Sequence, residues 1–276
     1  MIHGFELRDA VVKRYSVRTY QEKPIEPELL ERLFDYASGI TNPFGPSMSL
    51  QLIRKSTAVN GEKLGTYGII RGADTFLAVT IADKPFALEA LGYEFEQLVL
   101  YASSLGLGTC WLGGTFKRSA FASAIEVREG ELFPVLSPIG YPKENKSFAE
   151  KIMRKATKAD NRQPWEKLFY RDSFDNPLSQ TEAGDYSYAL EMLRLAPSAV
   201  NGQPWRLVLD GDSVHFFKKR STASGAIDMQ RIDIGIAMCH FDLAMQEKGV
   251  CGKFEAKVPG FAVPANLEYI SSWKKY

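Results

Sequence analysis

Residues 196–206 combine hydrogen-bonding side chains with a break in the secondary-structure pattern. The segment reads Ala-Pro-Ser-Ala-Val-Asn-Gly-Gln-Pro-Trp-Arg and lies between a helix-like run and the strand-like run 207–209. Pro197 ends a helix because it has no backbone N–H and restricts the residue before it. Gly202 lets the backbone approach a flat ligand closely, and Ser198 and Asn201 supply polar groups on the loop. An ordinary helix-to-strand turn has the same composition, so this segment alone leaves both interpretations open.

A second candidate is the segment 14–20, which reads Arg-Tyr-Ser-Val-Arg-Thr-Tyr. Arg14 and Arg18 flank the hydroxyl of Ser16. Two guanidinium groups around a hydroxyl suit a phosphate, and a guanidinium can also hold a planar heterocycle through two hydrogen bonds. A solvated surface stretch would have the same pattern, so this segment too is open when taken alone.

Taken together, the two segments resemble the FMN-dependent nitroreductase family. Its members open with an Arg-x-Ser-x-Arg-like segment and carry a Pro-Ser-x-x-Asn-x-Gln-Pro-Trp loop. The run Gly-Leu-Gly-Thr-Cys-Trp-Leu-Gly-Gly at 106–114 and the run Gly-Tyr-Pro at 140–142 match as well. The resemblance covers most of the chain and implies an α+β, nitroreductase-like fold with antiparallel sheets flanked by helices.

The order of these segments along the chain differs from that of ordinary family members. There the Pro-Ser-x-x-Asn loop follows soon after the first arginine segment, whereas here it begins only at Pro197. At the usual place, residues 37–45 read Ala-Ser-Gly-Ile-Thr-Asn-Pro-Phe-Gly, a degraded version of the loop. This arrangement predicts an internal duplication.

Two helix-like segments, 89–106 and 232–249, carry the signature of that duplication. Their apolar residues follow the same spacing, and Gly92 and Gly106 match Gly235 and Gly249 at one common separation, which we call the repeat offset. We therefore expect two related halves that form a pseudo-dimer within one chain. The first half is 1–150, the second is 151–276, and a charged connector covers about 144–165.

The composition excludes several classes of function. Of the 276 residues, 45% are hydrophobic and 24% are charged, as in an ordinary globular protein. A net charge of +1 provides no field that would attract nucleic acid or a membrane surface. No apolar run approaches the roughly 20 residues that cross a bilayer. The start lacks the layout of a signal peptide, and the odd, scattered cysteines favour a reducing compartment, so we expect a cytoplasmic protein.

No metal site is expected from the sequence. The three histidines share no ligand spacing with the three cysteines. His215 lies in an alternating run and is predicted to belong to a strand. His240 lies beside the apolar stripe of the second repeated helix and is predicted to be a core or interface residue.

Proline, glycine and capping polar residues, which begin or end secondary-structure elements, predict the helices and strands that position these segments. A helix is expected from Pro27 to about Tyr36, ended by Gly39. Asp185 is expected to cap the helix that ends before Pro197. Strands are expected at 49–53, 75–81, 132–141, 206–210, 213–219 and 267–271.

The resemblance also implies the composition of the site. Family members bind FMN at a homodimer interface, so the site should draw on both halves of this chain. Arg18 is implied to stabilise the negative charge that a flavin gains on reduction, and the N–H of Gly114 to bind flavin N5. The cofactor-binding residues implied are Arg14, Ser16, Arg18, Gly113, Gly114, Lys158, Arg162, Pro197, Ser198, Ala199 and Asn201.

One functional site, not two, is expected for the chain. The first-half loop has lost its Pro-Ser and its Gln-Pro-Trp. The second half offers only Tyr170-Arg171-Asp172 as an arm, and Asp172 would repel a phosphate.

The activity implied is that of an FMN-dependent NAD(P)H oxidoreductase. It would reduce nitroaromatic or quinone-like small molecules by two electrons in a ping-pong cycle. A flavin-binding module for FMN sensing or storage is the alternative, and a scaffold without flavin is disfavoured by the intact segments. Tyr67 is either a ring that stacks on the acceptor or a buried residue at a strand end.

Overall fold

The computed structural model describes residues 3–55, 64–144, 152, 155–158, 161–220 and 227–276. Part of the predicted connector, at 145–151, 153–154 and 159–160, lies outside the described residues.

The first half contains a four-stranded antiparallel sheet in the order β1-β2-β4-β3. Its central strand β2 is buried along almost its whole length, which explains its continuous apolar sequence. The strands are β1 (Met48–Arg54), β2 (Thr75–Ala82), β3 (Gly108–Thr109) and β4 (Glu131–Gly140), and the helices are α1 (Leu7–Lys13), α2 (Pro27–Ser38), α3 (Ala87–Ser104) and α4 (Arg118–Ala122).

The second half contains a five-stranded sheet in the order β5-β6-β7-β9-β8. Its β5–β6 pair is parallel and the other pairs are antiparallel, so this sheet is mixed where only antiparallel sheets were expected. The strands are β5 (Phe169–Arg171), β6 (Trp205–Asp210), β7 (Ser213–Lys219), β8 (Gly252–Glu255) and β9 (Leu267–Lys275), and the helices are α5 (Ser187–Arg194) and α6 (Met229–Glu247).

The topology of the first half recurs in the second. The strands β6-β7-β9-β8 repeat the order of β1-β2-β4-β3, and α6 occupies the place of α3 between the corresponding strands. The two helices end at Ser104 and Glu247, which are separated by the repeat offset. Each is followed by a left-handed glycine, Gly106 at φ 78° and Gly249 at φ 71°.

The helices α3 and α6 cross at two glycines and join the halves into one core. A Cβ on Gly92 would lie 2.3 Å from the carbonyl oxygen of Ile232, and a Cβ on Gly235 would lie 2.0 Å from that of Glu89. Both contacts are with backbone, so only glycine permits this approach. Ile232 follows Glu89 by the repeat offset, and the crossing is therefore a reciprocal, pseudo-twofold contact.

The predicted strands and the helix at Pro27 lie within a few residues of the observed ones. The cap predicted at Asp185 is wrong: Asp185 lies inside a short 3-10 helix, Gly184–Tyr186, that runs directly into α5. The 3-10 turn continues the hydrogen-bonded backbone, so no side-chain cap forms there. His215 lies in the strand β7, as predicted, and His240 is a fully buried core residue of α6, as predicted. Tyr67 is 70% exposed and is not a buried strand end.

Candidate functional site

A cavity of about 610 Å³ lies between segments of the two halves. Every residue of the predicted site except Lys158 lines it. The first half contributes Arg14, Ser16, Arg18, Gly113 and Gly114, and the second half contributes Arg162, Pro197, Ser198, Ala199 and Asn201.

The segment 14–18 lies along β3 and forms one wall of the cavity. It leaves α1 at Arg14, and the N–H of Val17 donates to the carbonyl of Thr109 at 2.8 Å. The side chain of Val17 is buried against Gly108, where a Cβ would lie 2.6 Å from Val17 Cγ2. Val17 therefore anchors the segment while its neighbours Ser16 and Arg18 line the cavity.

Arg18 carries the clearest sign of a missing partner. Its Nη1 donates to the carbonyl of Ser16 at 3.3 Å. Its Nε is buried and has no hydrogen-bond partner among the described residues. A buried donor without an acceptor costs free energy, so this group suits an acceptor atom of a bound ligand.

Two adjacent glycines, Gly113 and Gly114, form another part of the cavity wall. A Cβ on Gly113 would lie 2.3 Å from the Cε of Met229, whereas a Cβ on Gly114 would meet nothing within 4 Å. Arg118 holds this turn, since its Nη2 donates to the carbonyl of Gly113 at 2.7 Å and to that of Pro134 at 3.1 Å. Burial lowers the pKa of Arg118. The backbone at Gly114 is thus open to a ligand.

The loop from the second half is strained. Val200, Asn201 and Gln203 have φ values of 47°, 57° and 46°. Such angles are rare outside glycine and costly for a β-branched residue, and they concentrate at functional sites. Val200 is 80% exposed at the rim of the cavity, so burial of its own side chain does not offset the strain.

Asp233 of α6 supports this loop from inside the protein. Its Oδ1 accepts from the N–H of Ala199 at 2.9 Å. Burial raises the pKa of Asp233 to about 7, the Ala199 hydrogen bond opposes that rise, and the charge of Asp228 adds to it.

Asn201 binds the connector. Its Nδ2 donates to the carbonyls of Lys158 at 2.8 Å and Asn161 at 2.9 Å, and its Oδ1 accepts from Arg162 Nη1 at 3.4 Å. Arg162 Nη2 also donates to the carbonyl of Leu195 at 3.0 Å. These bonds bring Arg162 to the cavity, whereas Lys158 is exposed and meets the loop through its carbonyl.

A buried carboxylate, Glu96 of α3, contacts two residues that line the cavity, Arg14 and Trp111. Its Oε2 accepts from the indole N–H of Trp111 at 2.9 Å, and its Oε1 lies 3.8 Å from Arg14 Nε and 2.9 Å from His240 Nε2. Sequence reasoning missed Glu96, although an acidic residue in a helix that is apolar on all sides was a usable signal.

Exchanging the two halves by the repeat offset places a second, corresponding site elsewhere in the molecule. That place is filled by aromatic side chains. Phe254 and Phe86 are related by the repeat offset to Trp111 and Met229, two residues that line the cavity. Phe44 packs between them, with ring centroids 5.4 Å from Phe254 and 5.9 Å from Phe86.

The described ranges contain neither a candidate metal cluster nor a candidate membrane-spanning helix. No group of three or more histidine, cysteine, aspartate or glutamate residues there could hold a metal ion. No helix there is long and apolar enough to span a membrane.

The chain is similar to nitroreductases. The family model described as "Putative TM nitroreductase" matches residues 6–245. A nitroreductase structure from Thermotoga maritima is 20% identical over 99% of this chain and 94% of that chain, with a TM-score of 0.61. A nitroreductase with bound FMN from Bacteroides fragilis is 19% identical over 52% of this chain and 91% of that one, with a TM-score of 0.43. No curated protein matches the chain.

Proposed function

The chain belongs to the nitroreductase family, and we propose that it is an FMN-dependent NAD(P)H oxidoreductase with one active site per chain. The observation that carries the proposal is the cavity between the halves, where the arginine segment 14–18 faces the loop 197–201.

The residues of the cavity fit FMN. A volume of about 610 Å³ lies within the roughly 300–1,000 Å³ of small-molecule sites. Arg14 and Ser16 offer a cation and a hydroxyl to the phosphate. Arg18 brings a buried N–H without a protein acceptor among the described residues, which suits a ring with several carbonyl and nitrogen acceptors.

Each wall then has a distinct role. Arg14, Ser16 and Arg162 would hold the phosphate, with the more distant Lys158 adding positive charge. Gly113 and Gly114 would let the ring approach the backbone, and the N–H of Gly114 would donate to it. The loop residues, which are Pro197, Ser198, Ala199 and Asn201, would close the site from the second half.

When bound, FMN supplies two-electron redox chemistry between a nicotinamide and an acceptor. Arg18 would place a fixed positive charge where negative charge develops, so that little reorganisation is needed during the reaction. Val12, Ile69 and Val200 give the mouth of the cavity an apolar rim. This rim supports a small, planar, weakly polar acceptor of the nitroaromatic or quinone kind.

The two halves are part of the same proposal. We assign 1–150 and 151–276 to tandem copies of one unit, joined by the connector at about 144–165. The reciprocal contacts of Gly92 and Gly235 support this assignment, because unrelated segments would have no reason to share one offset. The three cysteines are free, which supports a cytoplasmic location.

Steady-state kinetics with NADPH or NADH and a quinone tests the proposal. One cavity cannot hold nicotinamide and acceptor together, so double-reciprocal plots at several acceptor concentrations should be parallel lines. The absorbance spectrum of the purified protein, with FMN added, should show bound flavin. Bound flavin without turnover would favour the FMN sensing or storage module, and absence of flavin binding would overturn the proposal.

A further inference from the structure

A buried contact between an acid and a histidine joins the two halves beside residues that line the cavity. Glu96 of α3 and His240 of α6 are both fully buried, and the carboxylate Oε1 lies 2.9 Å from His240 Nε2. The other ring nitrogen, Nδ1, lies 2.9 Å from the carbonyl oxygen of Met192. Both ring nitrogens thus lie within hydrogen-bonding distance of an oxygen atom.

Glu96 also contacts two residues of the cavity wall. Its Oε2 accepts from Trp111 Nε1 at 2.9 Å, and its Oε1 lies 3.8 Å from Arg14 Nε. The side chain of Arg14 is only 8% exposed and that of Glu96 is inaccessible, so solvent screens this ion pair weakly. The carboxylate therefore restrains both an indole and a guanidinium that face a ligand.

The pseudo-symmetric positions lack this pair. Cys239 is related to Glu96 by the repeat offset, and Gln97 is related to His240 in the same way. Gln97 instead forms a hydrogen bond with Tyr36: its Nε2 donates to the hydroxyl oxygen at 3.1 Å. The positions related to Glu96 and His240 by the repeat offset therefore carry no acid–histidine pair.

We propose that Glu96 is a positioning residue of the cavity: held by His240 of the second half, it fixes Arg14 and Trp111 of the first half for the ligand phosphate and ring. The identity of that ligand rests on the proposed function, whereas the coupling of Glu96 to Arg14 does not. The contact of Glu96 with His240 joins residues of both halves. The orientation of Arg14 and Trp111 at the cavity therefore depends on the association of the halves.

The substitution Glu96→Gln isolates the positioning effect. A glutamine can still accept from Trp111 and can donate to a neutral His240, so the buried hydrogen bonds remain satisfied. A loss of ligand affinity then reports the loss of the carboxylate contact with Arg14.

A double-mutant cycle with Arg14→Gln tests the inference through FMN affinity, measured by fluorescence quenching of FMN. Glu96→Gln should weaken FMN binding at least about threefold in the wild-type background and have little effect in the Arg14→Gln background. Multiplicative effects of the two substitutions, or wild-type affinity of Glu96→Gln, would overturn the proposal.

Glu94→Gln is the matched control. Glu94 is a buried acid on the same helix, but it accepts from Asn42 and from the N–H of Met48. Its substitution removes a carboxylate from the same helix and should leave FMN affinity unchanged. An equal loss from both variants would assign the effect to general damage of α3 and contradict the proposal.

Urea unfolding of the FMN-free chain separates this inference from the proposed function. If Glu96 restrains Arg14, the two substitutions should be non-additive in the free energy of unfolding as well. Failure of the wild-type protein to bind FMN would overturn the proposed function, while additivity in unfolding would overturn the coupling.

Discussion

At the scale of single residues, the two arginines of the segment 14–18 have different surroundings. Arg14 is paired with the buried Glu96, so its substitution would leave a buried acid without that partner. Arg14 therefore contributes to folding as well as to binding. The buried Nε of Arg18 has no acceptor among the described residues, which makes Arg18 the better probe of electrostatic catalysis.

Arg18→Ala should slow flavin reduction by NADPH more than it weakens FMN binding. The guanidinium is needed mainly when negative charge develops, and loss of one such donor costs about 10²–10³ in rate in other enzymes. The cavity is open to solvent, so we expect a loss of about 10–100-fold, with FMN affinity reduced less than about tenfold. Stopped-flow absorbance measures the rate, and Arg128→Ala, an exposed arginine elsewhere, is the control. Equal losses in rate and affinity would contradict an electrostatic role.

Asp233 should make the stability of the chain depend on pH. Burial raises its pKa to about 7 in the folded state, against about 3.9 when unfolded. Between these values the folded chain binds more protons than the unfolded chain, so stability falls as pH rises through this range. Ionisation at Asp233 should cost on the order of 4 kcal/mol at pH 8, because a tenfold change in an acid dissociation constant corresponds to about 1.4 kcal/mol.

Urea unfolding of the wild-type protein and of Asp233→Asn at pH 5, 6, 7 and 8 measures this dependence. An asparagine can keep the bond to the N–H of Ala199 but cannot ionise. The free energy of unfolding should therefore shift in favour of the variant as pH rises to about 7 and level off above it. A difference that stays constant with pH would show that Asp233 does not titrate in this range.

At the scale of elements, the crossing of α3 and α6 depends on Gly92 and Gly235. Gly235→Ala would put a methyl group 2.0 Å from the carbonyl oxygen of Glu89, and a backbone atom in a packed helix cannot move aside. Overpacking of this kind lowers the free energy of unfolding by about 1–3 kcal/mol. A clash with backbone atoms lies at the upper end of that range, because the backbone of a packed helix cannot adjust as a side chain can. We expect a loss of roughly 3 kcal/mol in urea unfolding.

Gly260→Ala is the control for that experiment. A Cβ at Gly260 meets nothing within 4 Å, so the free energy of unfolding should change by less than about 1 kcal/mol. If Gly235→Ala were as stable as this control, the close approach of the two helices would be refuted.

Local sequence predicted the elements better than the contacts between them. Pro27 and Gly39 bound α2, and alternation and apolar runs located most strands, because these signals act within a few residues. The cap at Asp185 was wrong because a 3-10 turn replaced it. The parallel β5–β6 pair and the contact of Glu96 with His240 join residues far apart in the chain, so no local pattern could predict them.

At the scale of the whole molecule, the two halves contribute complementary parts to the cavity. The first half has the arginine segment 14–18 and the glycine wall at 113–114, and the second half has the loop 197–201. Neither half contains the arginine segment, the glycine pair and the intact loop together. The pseudo-twofold arrangement accounts for this sharing of the site. The interface between the halves places the segment 14–18 of one half and the loop 197–201 of the other at the same cavity.

The same arrangement predicts one FMN per chain. At the second pseudo-symmetric place, Phe44 packs against Phe254 and Phe86, and Asn42 donates to Glu94 at 2.8 Å and to the carbonyl of Pro46 at 2.7 Å. A flavin there would have to displace the partly buried ring of Phe44, and the arginine segment 14–18 that would bind its phosphate lies at the other place.

Titration of a known protein concentration with FMN, followed by quenching of flavin fluorescence, should therefore break at a ratio of one. Phe44→Ala opens the second place without restoring its cations, so its ratio should remain one even though the chain becomes less stable. A ratio of two in the wild-type protein would contradict the assignment of a single site, and a ratio of two only in Phe44→Ala would identify that ring as the sole barrier to a second flavin.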